Sequence, residues 1–79
     1  MDIRVVFARN LKHYRQLRGL TQAALAAAMD VDRAHVSAME RGQQNVTLQT
    51  LLRVAAHLDV TPAKLIEERA DGDAHSRSS

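Results

Sequence analysis

The side chains that do catalysis or hold metals are scarce in this 79-residue chain, and the few present are badly spaced for it. There is no cysteine, which removes disulfides, thiolate metal sites, thiol nucleophiles and iron-sulfur clusters together. The four histidines, His13, His35, His57 and His75, show no His-x-x-x-His spacing and no carboxylate arranged as in hydrolytic metal sites. Ser37 stands two positions from His35, and residues two apart on a helix do not face each other, so no nucleophile and base pair forms locally. Met29 and Met39 fit core positions better than a cofactor box. No catalytic residue, cofactor or metal is expected, and the chain reads as a non-enzyme. What remains is binding chemistry: the amides, hydroxyls and guanidiniums of Gln22, Arg33, Ser37, Arg41, Gln43, Gln44 and Asn45, interleaved with small residues.

Charge is distributed to match. Residues 1–41 carry seven Lys or Arg against four Asp or Glu, whereas residues 42–79 carry four against five. With a sequence pI near 9.7, this polarity favours one basic face and an anionic partner such as nucleic acid. Surface arginines that only aid solubility are the plainer alternative. No apolar amphipathic anchor accompanies the charge, so a membrane surface is disfavoured. The longest apolar stretch, Ala23 to Met29, falls far short of the roughly 20 residues of a membrane span. Met1-Asp2 begins nothing like a signal peptide. A soluble, reducing, cytoplasmic setting is expected.

Those polar residues need a scaffold, and a chain of this length allows one domain. Only Phe7 and Tyr14 are aromatic, so the core must be aliphatic and alanine-rich, as in small helical proteins. Ile3, Phe7, Leu11 and Tyr14 predict a helix over 3–18, closed by Gly19. Thr21 caps a second helix over 22–29 made mostly of alanine. Asp30 and Val31 form a tight connection to a third helix over 33–41, capped by Asp32 and ended by Gly42. Its larger apolar residues are Val36 and Met39 alone, so Arg33, Ala34, Ser37 and Ala38 lie off the buried stripe. Thr47 caps a fourth helix over 48–58 with Leu48, Leu51, Leu52, Ala55 and Leu58 on its apolar face. Thr61-Pro62 starts a short fifth helix over 62–68 carrying Leu65 and Ile66. The expected core is Phe7, Leu11, Leu25, Met29, Val36, Met39, Leu51, Ala55 and Leu58. Residues 1–69 form the expected domain and 70–79, lacking any large apolar residue, an expected disordered tail.

Two short helices joined by a tight turn, the second ending in Glu40-Arg41-Gly42, read as a helix-turn-helix between Thr21 and Gly42. From Leu11 to Ile66 the chain resembles the phage-repressor and Cro type of helix-turn-helix protein, the XRE family. The resemblance is carried by Arg18-Gly19-Leu20-Thr21-Gln22, Leu25-Ala26, Val31, Val36-Ser37, Met39-Glu40-Arg41-Gly42 and Asn45-Val46-Thr47-Leu48. It implies an all-α, five-helix DNA-binding domain whose third helix enters the major groove through Arg33, Ala34, Ser37 and Ala38, with His35 at the edge. There Arg33 can grip guanine O6 and N7 with two nitrogens, Ser37 can donate or accept, and the alanines permit close approach to a thymine methyl.

The resemblance further assigns a phosphate contact to Gln22 at the head of helix two, beside the Thr21 cap, and backbone contacts to Arg41, Gln43, Gln44 and Asn45. The plainer alternatives are an exposed first-turn residue for Gln22 and a solvated turn for the Gln-Gln-Asn loop. Arg15 and Glu40 match a family pair that ties helix one to helix three, positioning rather than reading. Asp30 replaces the glycine common in the turn, which predicts slight local strain, and Asp59 stands where glycine or asparagine often ends helix four. The expected function is a transcriptional regulator bound to double-stranded DNA as a homodimer on a palindromic operator, with no small-molecule effector domain. Helix five and the end of helix four, through Leu65 and Ile66, are the expected dimer interface, although packing of one of the two onto its own core is an equal alternative. Two other readings stay open: an antitoxin or restriction-modification controller using the same domain, and a protein-interaction module that no longer touches DNA.

Overall fold

A computed structural model describes residues 2–69, so the expected tail over 70–79 lies outside the described residues. Five α-helices follow one another, and no strand occurs among the described residues: α1 (Ile3–Leu17), α2 (Gln22–Met29), α3 (Arg33–Glu40), α4 (Leu48–Leu58) and α5 (Pro62–Ile66). No helix among them is long and apolar enough to cross a membrane.

The first four helices end in one way. After α1 and α3 a glycine, Gly19 or Gly42, takes a φ of 71°, and after α2 and α4 an aspartate does so, Asp30 at 60° and Asp59 at 57°. The following N–H turns back to a carbonyl five residues earlier: Leu20 to Arg15 at 3.0 Å, Val31 to Ala26 at 2.9 Å, Val60 to Ala55 at 3.0 Å. This left-handed ending satisfies orphan carbonyls and drops the next side chain onto the body. Leu20, Val31 and Val60 accordingly pack against the core. Asp30 therefore performs the turn that its sequence position demands, in the conformation expected to strain it.

Helix starts are less uniform. Thr21 and Thr47 accept from the N–H of Ala24 and Thr50. Asp32 and Thr61 occupy the cap position without a side-chain bond to the helix, so two expected hydroxyl or carboxylate caps act through backbone conformation alone. At the other end, α5 stops at Ile66 rather than at 68. Asn10, buried in α1, donates from Nδ2 to the carbonyls of Leu65 at 3.0 Å and Glu67 at 2.8 Å, and Glu67 is drawn into an extended conformation.

The core joins all five helices through Phe7, Leu11, Leu25, Met29, Val36, Met39, Val54, Ala55, Leu58 and Leu65. Two expectations shift. Val54 is fully buried, while Leu51 is only half-buried, and Leu48 and Leu52 stay 79% and 56% exposed. The larger apolar residues of α4 span about 160° of its circumference at about 100° per residue, wider than one core contact needs, and only the Val54 side of that arc meets neighbouring helices. Leu65 is fully buried, because a five-residue helix needs its one inward side chain to hold it down. It cannot contact another subunit; of the two residues expected at such a contact, Ile66 alone reaches the surface, at 43% exposure.

Candidate nucleic-acid interface

α3 packs against α1 and α2, anchored by Val36 and Met39, both essentially without solvent contact. The rest of α3 faces outward to different degrees. Arg33 and Ala34 are exposed at its head, and His35, Ser37 and Ala38 are half-buried further along. Arg41, Gln43 and Asn45 are exposed beyond its end, with Gln44 half-buried between them. All lie on α3 or on the loop that leaves it. Thr21 is exposed, but its hydroxyl is committed to capping α2 by accepting from Ala24 N at 2.9 Å.

Beneath this surface sits an ion pair between helices. Arg15 of α1 donates from Nε to Glu40 Oε2 at 2.5 Å and from Nη2 to Oε1 at 3.0 Å, with side chains only 9% and 5% exposed. Its Nη1 donates to the Leu20 carbonyl at 2.7 Å, so the α1–α2 turn is tied into the same pair. The hydrogen bond to Glu40 raises the Arg15 pKa above its ordinary value, outweighing the desolvation that lowers it. Glu40 also accepts from Gln22 Nε2 at 3.1 Å, and Gln22 Oε1 accepts from Arg33 Nη1 at 3.0 Å. The expected tie between Arg15 and Glu40 is present, and it continues outward to Gln22 and Arg33. Nothing in the spacing of these four residues marked that continuation, because they come from three helices.

A second exposed guanidinium is held at the other end of α3. Arg41 donates from Nη1 to Ser37 Oγ at 2.7 Å and from Nε to Gln43 Oε1 at 3.1 Å. With its oxygen accepting from Arg41, the Ser37 hydroxyl keeps its hydrogen to donate elsewhere. The surface thus offers cations at both ends of one helix with small side chains between them, a shape and charge suited to a groove lined by acceptors and flanked by phosphates.

A different surface escaped the sequence reading. Ile3, Phe7, Val46, Leu48, Leu51 and Ile66 line an open apolar groove of about 210 Å³, with Arg4 at its rim. Arg4 is paired with Asp2 at 3.0 Å, and Asp2 is held below the usual carboxylate range by the Arg4 side-chain and backbone hydrogen bonds. Leu52, one turn after Leu48, extends the apolar surface along α4. The excess width of the α4 apolar arc was the available signal.

The model of a family described as Helix-turn-helix matches residues 11–65. The chain belongs to the helix-turn-helix family. Control protein C.SmaI of Serratia marcescens is 36% identical over 66 residues, which cover 84% of this chain and 79% of that protein. Among solved structures, the hypothetical transcription factor NHTF from Neisseria superposes with a TM-score of 0.82 at 32% identity, over 96% of this chain and 86% of its own. The restriction-modification controller protein C.AhdI from Aeromonas hydrophila superposes at 0.74 with 40% identity, over 78% of this chain and 94% of its own. This helix-turn-helix chain is a DNA-binding transcriptional regulator, not an enzyme.

Proposed function

We propose that this regulator acts in the cytoplasm as a homodimer, placing one α3 helix in each of two successive major-groove segments of a palindromic operator. The observation that carries the reading is the outward edge of α3, where the exposed Arg33 and Ala34 and the half-buried Ser37 and Ala38 stand clear of the two residues that bury the helix. Arg33 reads a guanine edge with its fork of donors, while Ser37 and the alanines, with His35 beside them, meet the adjoining bases. Gln22 and Arg41, with Gln43, Gln44 and Asn45 of the following loop, lie along the sugar-phosphate backbone and set the register.

One α3 helix of eight residues spans too few base pairs to select a site in a genome, and a two-fold pair about 34 Å apart doubles the reading. A second copy is the occupant that fits the groove beside Leu48. That surface carries several partly exposed aliphatic side chains around a concavity, so each copy offers both a protruding leucine and a recess. Its one rim charge is already neutralised by Asp2. The similarity to a control protein and to a restriction-modification controller favours a regulator that sets the expression of a restriction-modification system over an antitoxin.

Selection of bound fragments from random duplex DNA gives the operator and its symmetry. Arg33→Ala then weakens operator binding by about 1–3 kcal/mol and relaxes preference at one position in each half-site. Equal losses on operator and random DNA would exclude α3 as the reading helix.

A further inference from the structure

Asn10 of α1 is a buried polar residue, 2% exposed, and its side-chain hydrogen bonds all go to one short stretch of chain. Nδ2 donates to the carbonyls of Leu65 at 3.0 Å and Glu67 at 2.8 Å, and Oδ1 accepts from Arg69 Nε at 2.9 Å. Both amide hydrogens and an oxygen lone pair are thus engaged by residues 65–69. Carbonyls two residues apart in a helix lie about 200° apart around its axis and cannot converge on one NH2. They converge here because Glu67 is extended, at φ −104° and ψ 148°. The helix expected to run to 68 is therefore stopped after five residues by a side chain from another helix. So short a helix has little stability of its own, and its Thr61 cap makes no side-chain bond. The burial of Leu65 and the Asn10 clamp hold its end. Ile66 lies between the two clamped carbonyls and lines the apolar groove with Ile3 and Phe7. Ile3, Phe7 and Asn10 follow one another along one side of α1 at spacings of four and three, so the clamp sits one turn beyond the groove residues that α1 supplies.

We infer that Asn10 is a positioning residue for dimerisation, which fixes the end of α5 and with it Ile66 as a wall of the groove on which a second copy seats. The inference rests on the proposed seating of a second copy at that groove and names what shapes it. With the clamp in place, Ile66 meets the partner already ordered, so association does not carry that ordering cost. Without it, the carbonyls of Leu65 and Glu67 lose their shared donor, residues 67–69 are free to add a turn to α5, and the second copy must select one of two shapes. A buried amide that no partner touches thereby sets the form of an apolar surface.

The test compares the full-length wild type with Asn10→Ala, Ile66→Ala and Leu48→Asp by sedimentation, and measures binding to the palindromic operator and to a single half-site. Asn10→Ala is expected to raise the dimer dissociation constant about tenfold or more, the scale of an interface side chain that matters, while half-site affinity is unchanged and the helical spectrum is retained. Both changes act on one wall, so Asn10→Ala combined with Ile66→Ala should weaken dimerisation little more than Ile66→Ala alone. A proline disfavours the helical conformation of the residue before it and drives it to the extended region that Glu67 occupies. Adding Glu68→Pro to Asn10→Ala should therefore recover most of the lost dimerisation, which a general loss of stability would not allow. Absence of that recovery overturns the positioning role. If Asn10→Ala dimerises like wild type while Leu48→Asp is monomeric, the role is overturned and the groove stands as the interface. If Leu48→Asp and Ile66→Ala both dimerise like wild type, the interface falls and the positioning role with it. Should Asn10→Ala not fold, Asn10→Ser, which keeps a donor on a shorter arm, is measured in its place; failure of both to fold makes the role a global one and overturns the inference.

Discussion

Arg33 and Leu48 are both exposed, and each is the first residue of a helix, α3 and α4 respectively. Arg33 is nevertheless held, by a hydrogen bond to Gln22 that leads back to the ion pair of Arg15 and Glu40. Leu48 protrudes at 79% exposure beside an apolar groove. A guanidinium is well solvated when free, so what the fold adds at Arg33 is direction. A leucine in water loses free energy that only cover can restore, so what the fold leaves at Leu48 is a driving force for association, about 25 cal/mol for each Å² covered. Under the proposed function, polar recognition is prepared by internal bonds before the partner arrives, and apolar association is prepared by leaving bonds unmade.

The largest effect that can break this contrast lies under Arg33. Glu40→Ala strands the Arg15 guanidinium in a nearly buried site and should cost about 3–5 kcal/mol of folding stability in denaturant melts. A loss below 1 kcal/mol would mean that the pair orients little. On the apolar side, Leu48→Asp should leave the monomer fold and its melting transition nearly unchanged, since the side chain touches little of its own chain. It should weaken dimerisation by about 2 kcal/mol or more, seen by sedimentation, with operator affinity falling alongside. A variant that still sediments as a dimer would move the interface elsewhere.

A smaller effect separates the two surfaces by salt. Arg41→Ala should make the dependence of log affinity on log salt shallower by about one, because a cation at a phosphate releases a counterion. Leu48→Asp should not change the slope through lost phosphate contacts. The smallest effect concerns the two left-handed aspartates, Asp30 ahead of α3 and Asp59 at the end of α4. Asp30→Gly should raise stability by about 0.5 kcal/mol by relieving the left-handed penalty, offset in part by glycine's greater chain entropy. Asp59→Gly should give less, since Asp59 also accepts from Arg18 at 3.0 Å.

Much of the scaffold was legible from local chemistry. Thr21, Thr47 and Pro62 mark helix starts, Gly19 and Gly42 mark endings, and spacing alone picked out Leu11, Val36, Met39 and Leu58, all essentially inaccessible in the fold. Capping, chirality and a 3.6-residue period act within a turn or two, so neighbours in the sequence suffice to specify them. The same locality explains why Asp30 could be recognised as a turn residue in an unusual conformation. It also explains why the polar, small-residue face of α3 could be separated from its narrow buried stripe.

The remaining decisions belong to contacts between distant segments. Arg15 and Glu40 are 25 positions apart, Gln22 and Arg33 are 11 apart, and Asn10 reaches 57 positions to end α5. Leucines at 48, 51 and 52 share one apolar arc, and nothing within α4 says which flank will be covered; the placement of the other helices does, burying Val54 and leaving Leu48 outside. By itself, then, the sequence determined which residues could be buried, where helices start and where the first four stop, and which helix presents a polar face. Tertiary structure alone decided which apolar residues remained uncovered and which donor Gln22 would serve, because burial and hydrogen-bond direction depend on groups that come together only when the helices pack.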